Sequence, residues 1–133
     1  MKKLLRPASF LILLTLMACG HRPAPRARAM AVDSLYDFGP VTKADTLRHT
    51  FFLKNTGTAY LHIETIAVSC NCMTLSWEKK PVKPGEKGYI QVAAVLPPGG
   101  AIGRYEKFFM VRTNAINSLS VFKIFYTHSS VQK

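Results

Sequence analysis

Apolar and polar positions alternate along most of the chain. In residues 46–54, Leu47, His49, Phe51 and Leu53 fall on one side, and Arg48, Thr50, Phe52 and Lys54 on the other. A period of two belongs to a β-strand, whose successive side chains point to opposite faces. Residues 60–70 read as a long strand with Ile66, Val68 and Cys70 on a common face, and residues 89–96 alternate Ile90, Val92 and Ala94 with Tyr89, Gln91 and Ala93. Shorter runs at 35–38 and 75–77 and longer ones at 104–113 and 119–127 raise the count to about seven strands. Between them lie turn-formers: Gly39-Pro40, Asn55-Thr56-Gly57, Pro84-Gly85 and Pro97-Pro98-Gly99-Gly100. Asn and Gly tolerate the positive φ that turns demand, and Pro-Gly presets a reversal. No run carries the spacing of a long amphipathic helix. The pattern predicts one all-β sandwich over residues 32–128, with a tail at 129–133.

The N-terminus departs from this pattern. Lys2, Lys3 and Arg6 precede an apolar run, residues 10–18, interrupted only by Thr15. That is the layout of a secretory leader, and the run falls short of the roughly 20 apolar residues of a permanent membrane span. It ends at Leu16-Met17-Ala18-Cys19-Gly20, a string that resembles the bacterial lipobox, with Met17 the less usual member. The resemblance implies that residues 1–18 are removed, that Cys19 receives a diacylglyceryl group and becomes the new N-terminus, and that it is then acylated. Several acyl chains anchor far more firmly than one. His21 follows Gly20 and no Asp follows Cys19, so the resemblance favours an outer-membrane lipoprotein, facing the periplasm or the surface.

Residues 20–31 then read as a tether: two prolines, three arginines and no apolar period. Such a segment is a short spacer rather than a folded unit. The chain holds 18 basic and 7 acidic residues, a net charge of +11. Without Lys2, Lys3 and Arg6 the mature part holds 15 and 7, a net +8. Nucleic acid is not the expected partner, because Arg22, Arg26 and Arg28 lie in the tether and the other cations are scattered. A basic stalk beside anionic headgroups accounts for them at about 1 kcal/mol per charge.

Within the domain the strings Tyr36-Asp37-Phe38-Gly39-Pro40-Val41, His49-Thr50-Phe51-Phe52-Leu53-Lys54-Asn55-Thr56-Gly57, Ile66-Ala67-Val68-Ser69-Cys70-Asn71-Cys72 and Pro84-Gly85-Glu86 stand in a fixed order. Together they resemble the bacterial domain-of-unknown-function family 1573, common in envelope proteins of Bacteroidota. Its members resemble the immunoglobulin-like domains of the major-sperm-protein and Hydin group. The resemblance implies an immunoglobulin-like sandwich and carries no established activity. The family usually has Gly between the two cysteines and often Thr after them. Asn71 and Met73 replace these, and Asn is the best non-Gly residue where φ is positive.

The chemically pointed feature is Cys70-Asn71-Cys72. With Cys19 lipidated, the three cysteines reduce to one pair in an oxidising compartment. On a flat strand their Cα atoms would stand about 6.5–7 Å apart, at the limit for a bridge, so a bend at Asn71 is needed. Four readings stand open: a local disulfide, two packed free thiols, a soft-metal site for Cu(I), and a redox-active or intermolecular pair. Met73 is the one nearby soft donor, and His62 lies about 26 Å from Cys70 along a straight strand. His49 is expected to be packed or at an edge. Trp77, Tyr89, Phe108 and Phe109 are expected in the core, although Phe51-Phe52 and Phe108-Phe109 place one ring of each pair on the outer side. The acids form no catalytic pair, and no nucleophile elbow or phosphate-binding loop occurs. The sequence therefore points to a non-enzymatic binding or structural module with an envelope protein or glycan partner and no small-molecule substrate. The alternative is a copper-binding or thiol-redox accessory acting through Cys70 and Cys72.

Overall fold

The computed structural model describes residues 20, 22–42, 46–96 and 99–129. Among these residues there is no helix, and eight strands form two sheets. The strands are β1 (Ala29–Ala31), β2 (Leu35–Val41), β3 (Thr46–Asn55), β4 (Ile63–Val68), β5 (Met73–Trp77), β6 (Lys87–Val95), β7 (Gly103–Thr113) and β8 (Leu119–His128). One sheet, here sheet A, runs β1-β3-β6-β5, and sheet B runs β2-β8-β7-β4. All pairings are antiparallel except that of β2 with β8. This is an immunoglobulin-like sandwich, the fold class the alternation pattern predicts.

The inward positions close the sandwich. Phe51 of β3 meets Phe109 of β7 and Phe122 of β8 at ring-centroid distances of 5.6 and 5.2 Å. Phe109 and Phe122 stack at 5.1 Å. Leu53, Leu61, Ile90, Val111 and Ile124 fill in around them without solvent exposure. Burying each such side chain is worth about 1.5–3 kcal/mol, so this layer is what holds the two sheets together.

One end of the sandwich is tied by side-chain amides. Asn55 ends β3 and is fully buried. Its Nδ2 donates to the carbonyls of Ala59 and Val82 at 2.8 and 2.9 Å, and its Oδ1 accepts from the Gly57 N–H at 3.0 Å. The loop so shaped receives residues 26–29. The N–H groups of Thr56 and Thr58 both donate, at 2.8 Å, to the carbonyls of Arg28 and Arg26 respectively. The Ile116 N–H donates to the Ala27 carbonyl, and the Ala29 N–H donates to Asn117 Oδ1 at 3.0 Å while the Asn117 Nδ2 donates back to the Ala29 carbonyl. The crossing is so close that a Cβ on Gly57 would lie 2.3 Å from the Arg26 carbonyl oxygen. Gly57 is thus required for close approach. It does not adopt the positive φ expected of this turn.

The structure corrects three expectations. The domain begins before residue 32: Ala27 and Ala29 are buried and Ala29–Ala31 is a strand paired with Leu53, Lys54 and Asn55. Three small or unbranched residues gave no strand signal, and the free edge of β3 recruits them. The first full strand does not end at Gly39-Pro40. Gly39, at φ 71°, donates its N–H to Asp37 Oδ1 and forms a bulge, beyond which pairing resumes to Val41. The long strand expected over 60–70 is confined to Ile63–Val68, with Leu61 forming an isolated bridge to Val82.

Asn55→Ala removes two donors from buried carbonyls and should cost roughly 2–4 kcal/mol, read as a lower urea midpoint with unchanged slope. Gly57→Val should destabilise comparably by forcing residues 26–28 off the loop. A chain starting at Val32 should unfold at markedly lower urea than one starting at Arg22. Equal midpoints would show that residues 22–31 are not part of the folded unit.

Candidate functional site

Cys19 lies outside the described residues. Cys70 and Cys72 sit where the chain leaves sheet B for sheet A. Ser69 extends the β4–β7 ladder, donating its N–H to the Phe108 carbonyl at 3.0 Å and accepting the Phe108 N–H on Oγ at 3.1 Å. The chain then bends, the Met73 N–H reaching the Cys70 carbonyl at 3.4 Å, and β5 begins against β6. The bend brings the two Cα atoms to 5.2 Å, and the cysteines are joined as a disulfide. Asn71 makes the bend without positive φ, so the Gly-like conformation expected there is absent. Both cysteines are half-buried and pack on the core.

This corner forms the wall of an apolar cleft of about 250 Å³. Ala94, Val95 and Leu96 of the β6 end, Tyr105 and Lys107 of β7, and Tyr126 and His128 of β8 complete it with Gly100. Strand β4 pairs only as far as Phe109 of β7. The inward side chains of Tyr105 and Lys107 beyond it are therefore not covered by a neighbouring strand. Tyr105 stacks on Tyr126 at 5.2 Å and its hydroxyl donates to the Ala101 carbonyl at 2.8 Å. Burial, with Tyr105 alongside, pushes the Tyr126 phenol above its usual value. His128 Nδ1 is buried without a hydrogen-bond partner among the described residues. The cleft thus offers an apolar body, one cation without an ion pair among the described residues, a phenol, an imidazole and a disulfide. Among the described residues no three His, Cys, Asp or Glu side chains converge as a metal site would require.

The remaining candidates separate. His49 lies on the open side of the sandwich between β2 and β3, stacked on Tyr36 at 3.7 Å and edge-on to Phe51 at 4.6 Å. Burial lowers its pKa, against a smaller upward pull from Asp33. His62 is exposed at the opposite end from the disulfide, its N–H donating to Asn114 Oδ1. Of the four aromatics expected in the core, Phe109 is fully buried and Trp77 is half-buried with Lys79 Nζ 3.2 Å above its ring. Tyr89 and Phe108 instead face outward, because they alternate with Ile90 and Phe109. The residues of the cleft other than the cysteines carried no motif. Tyr105, Lys107, Tyr126 and His128 are brought together by the register of β7 on β8, which alternation alone does not fix.

The family model described as "Protein of unknown function (DUF1573)" matches residues 30–126. No curated protein matches the sequence. A protein of unknown function from Porphyromonas gingivalis W83 is similar in structure, with a TM-score of 0.61 and 12% identity over 77% of this chain. This chain spans 46% of that protein's length. The ASH/PapD-like domain 7 of human CEP192 is similar over 98% of this chain and 96% of its own, at a TM-score of 0.59 and 13% identity. The VesB protease of Vibrio cholerae is similar over 79% of this chain and 32% of its own, at 0.56 and 13%. At these identities the likeness is one of fold.

The lowered pKa of His49 favours the neutral ring in the folded state, so its contribution to stability is present above the unfolded value and lost as pH falls from about 6.5 towards the folded value. His49→Phe keeps the ring contacts and should remove this component. Thermal midpoints between pH 7.5 and 5 should fall less steeply for the variant, and parallel curves would refute the burial account.

Proposed function

The chain belongs to the DUF1573 family, described only as one of unknown function, and from that placement we propose that it is a non-enzymatic envelope lipoprotein whose immunoglobulin-like domain docks another envelope component through the cleft beside Cys70 and Cys72. One observation carries the reading: the domain has two unlike ends. Residues 26–29 are bound at the Asn55 end, and the apolar cleft opens at the other, where β3 begins and β8 finishes. A domain held through its N-terminal segment presents that cleft away from its anchor. The anchor is the lipid on Cys19, supported by the Leu16-Met17-Ala18-Cys19 string, and the site is the outer membrane on its periplasmic or surface face. The partner is an envelope protein or a glycan. An apolar cleft with a single cation, Lys107, fits a protein segment carrying an apolar side chain near a carboxylate better than a neutral sugar.

A second reading rests on the disulfide itself, since Cys70 and Cys72 both line the cleft. A partner thiolate bound there would attack one sulfur, form a mixed disulfide and release the other as a thiolate. Once reduced, the pair would also offer two soft donors to Cu(I). This is the copper-binding or thiol-redox accessory role.

A photoreactive residue at Val95, beside the cleft, should yield a discrete envelope adduct that the same residue at Glu64 does not. Turnover of a substrate with no adduct would overturn the docking role. Intact mass of the native protein should show loss of residues 1–18 and acyl mass on Cys19, and an unmodified Cys19 would remove the anchor. Free-thiol counting and metal analysis decide the second reading: a disulfide that resists mild reductant, with no metal bound, eliminates it.

A further inference from the structure

The two outer faces of the sandwich treat charge differently. All three ion pairs among the described residues lie on sheet B: Arg104–Asp37 at 2.9 Å, Arg112–Glu64 at 3.4 Å and Lys123–Glu106 at 2.7 Å. Sheet A has none. Because Ala27 and Ala29 are buried, the alternate residues Arg26 and Arg28 point outward beside β3. The register then places Lys54 opposite both Met30 and Lys87. One end of this face therefore carries Arg26, Arg28, Lys54 and Lys87. Three exposed or half-buried acids border the face: Glu86 precedes Lys87, Asp33 follows Val32, and Glu78, whose N–H donates to the Tyr89 carbonyl, accepts the Lys80 N–H at 3.0 Å.

Next to these cations runs an apolar band. Phe52 pairs with Tyr89, and the Val32 N–H donates to the Phe52 carbonyl, so Val32, Phe52 and Tyr89 form one row. Met30 lies in the neighbouring row with Lys54 and Lys87. Their exposures are 48% for Met30, 39% for Val32, 41% for Phe52 and 37% for Tyr89. Beyond the band the face carries mainly uncharged hydroxyls and amide, Thr50, Thr74, Ser76 and Gln91, with one cation, Arg48, in the row of Thr74. Cations beside an aromatic and aliphatic band are the arrangement of a surface that rests in the headgroup region of a bilayer. Cations meet lipid phosphates, and the amphipathic Tyr ring sits at the interface.

We propose that the Arg26 end of sheet A is a bilayer-contact surface for anionic phospholipid headgroups, so that the domain lies against the membrane on this face and leaves sheet B free. It rests on the envelope reading only for the nearness of a membrane. Charge complementarity carries it: cations without an ion pair among the described residues on one face, neutralised pairs on the other. Arg26 and Arg28 also belong to the segment that follows Cys19 in the sequence, so a lipid there and this face would act on the same membrane.

The test uses the chain from Gly20, which keeps every described residue and has no lipid. In low salt it should co-sediment with phosphatidylglycerol–phosphatidylcholine vesicles and not with phosphatidylcholine alone, and added salt should release it. Lys54→Glu with Lys87→Glu should lower partition at least about 30-fold, and Phe52→Ser with Tyr89→Ser should also weaken it. Phe108→Ser on sheet B should leave it unchanged. Circular dichroism of each variant confirms the fold, and Lys54→Gln with Lys87→Gln gives a milder pair should the reversals unfold. No binding to the anionic vesicles overturns the inference. So does an equal loss from the sheet B variant, or retention on heparin as strong as on vesicles and indifferent to Phe52 and Tyr89. None of these outcomes bears on the mass of native Cys19, so failure of the surface and failure of the anchor are told apart.

Discussion

The carboxamide of Asn55 is the interaction on which this domain's construction turns. A single buried side chain holds two carbonyls from separate segments, Ala59 and Val82, and shapes the loop by accepting the Gly57 N–H. An amide left unpaired in such a place would be costly, and here it is fully used. Its main chain joins the same network, accepting from Gly85 and donating to Glu86. Asn114 and Asn117 do similar work nearby, linking Tyr60 and His62 to the β7–β8 turn and the turn to Ala29. One end of the sandwich is therefore held by directed hydrogen bonds, while the middle is held by undirected ring and aliphatic packing. Register comes from the first, cohesion from the second.

The other end is built differently. There the chain passes from one sheet to the other through the four residues 69–72, and the covalent link between Cys70 and Cys72 spans the corner. Because β4 stops short, the edge of β7 that carries Tyr105 and Lys107 is left without a neighbouring strand, and these residues line a cleft with Tyr126 and His128 of β8. A fully paired sheet would have buried Lys107 without a counter-charge, which is expensive. The short edge and the lysine are thus mutually consistent.

Much of this was legible in the chain. Alternation located β3, β6, β7 and β8, because each has one face in the core and one in solvent. It also set Phe51 and Phe52 on opposite faces, and Phe108 and Phe109 likewise, but it did not say which ring of each pair is buried, and Phe108 was expected in the core. Three features escaped. Strand β1 is Ala-Met-Ala, too short and too plain to register, and it exists only because β3 offers an edge. The bulge at Gly39 looks in sequence like a stop, since Gly-Pro marks both. Gly57 looks like a turn glycine and is in fact a contact glycine, a distinction that depends on what crosses it. For the site, the cysteines announced themselves. Their companions did not, since a cleft assembled from two strand ends and a loop has no spacing in sequence.

The docking of residues 26–31 has a mechanical consequence. Strand β1 runs antiparallel to β3, with Ala29 opposite Asn55 and Ala31 opposite Leu53, and the chain leaves it at the Asn55 end. A pull applied through the N-terminal segment thus acts along the strand axis, across the hydrogen bonds of β1 and of the Thr56 and Thr58 crossing together. Bonds loaded in shear must fail as a group, whereas bonds unzipped fail one at a time. Drag on the domain would be borne by the whole set at once. The same few bonds that complete the fold also set how much tension the domain can carry before its first strand lets go.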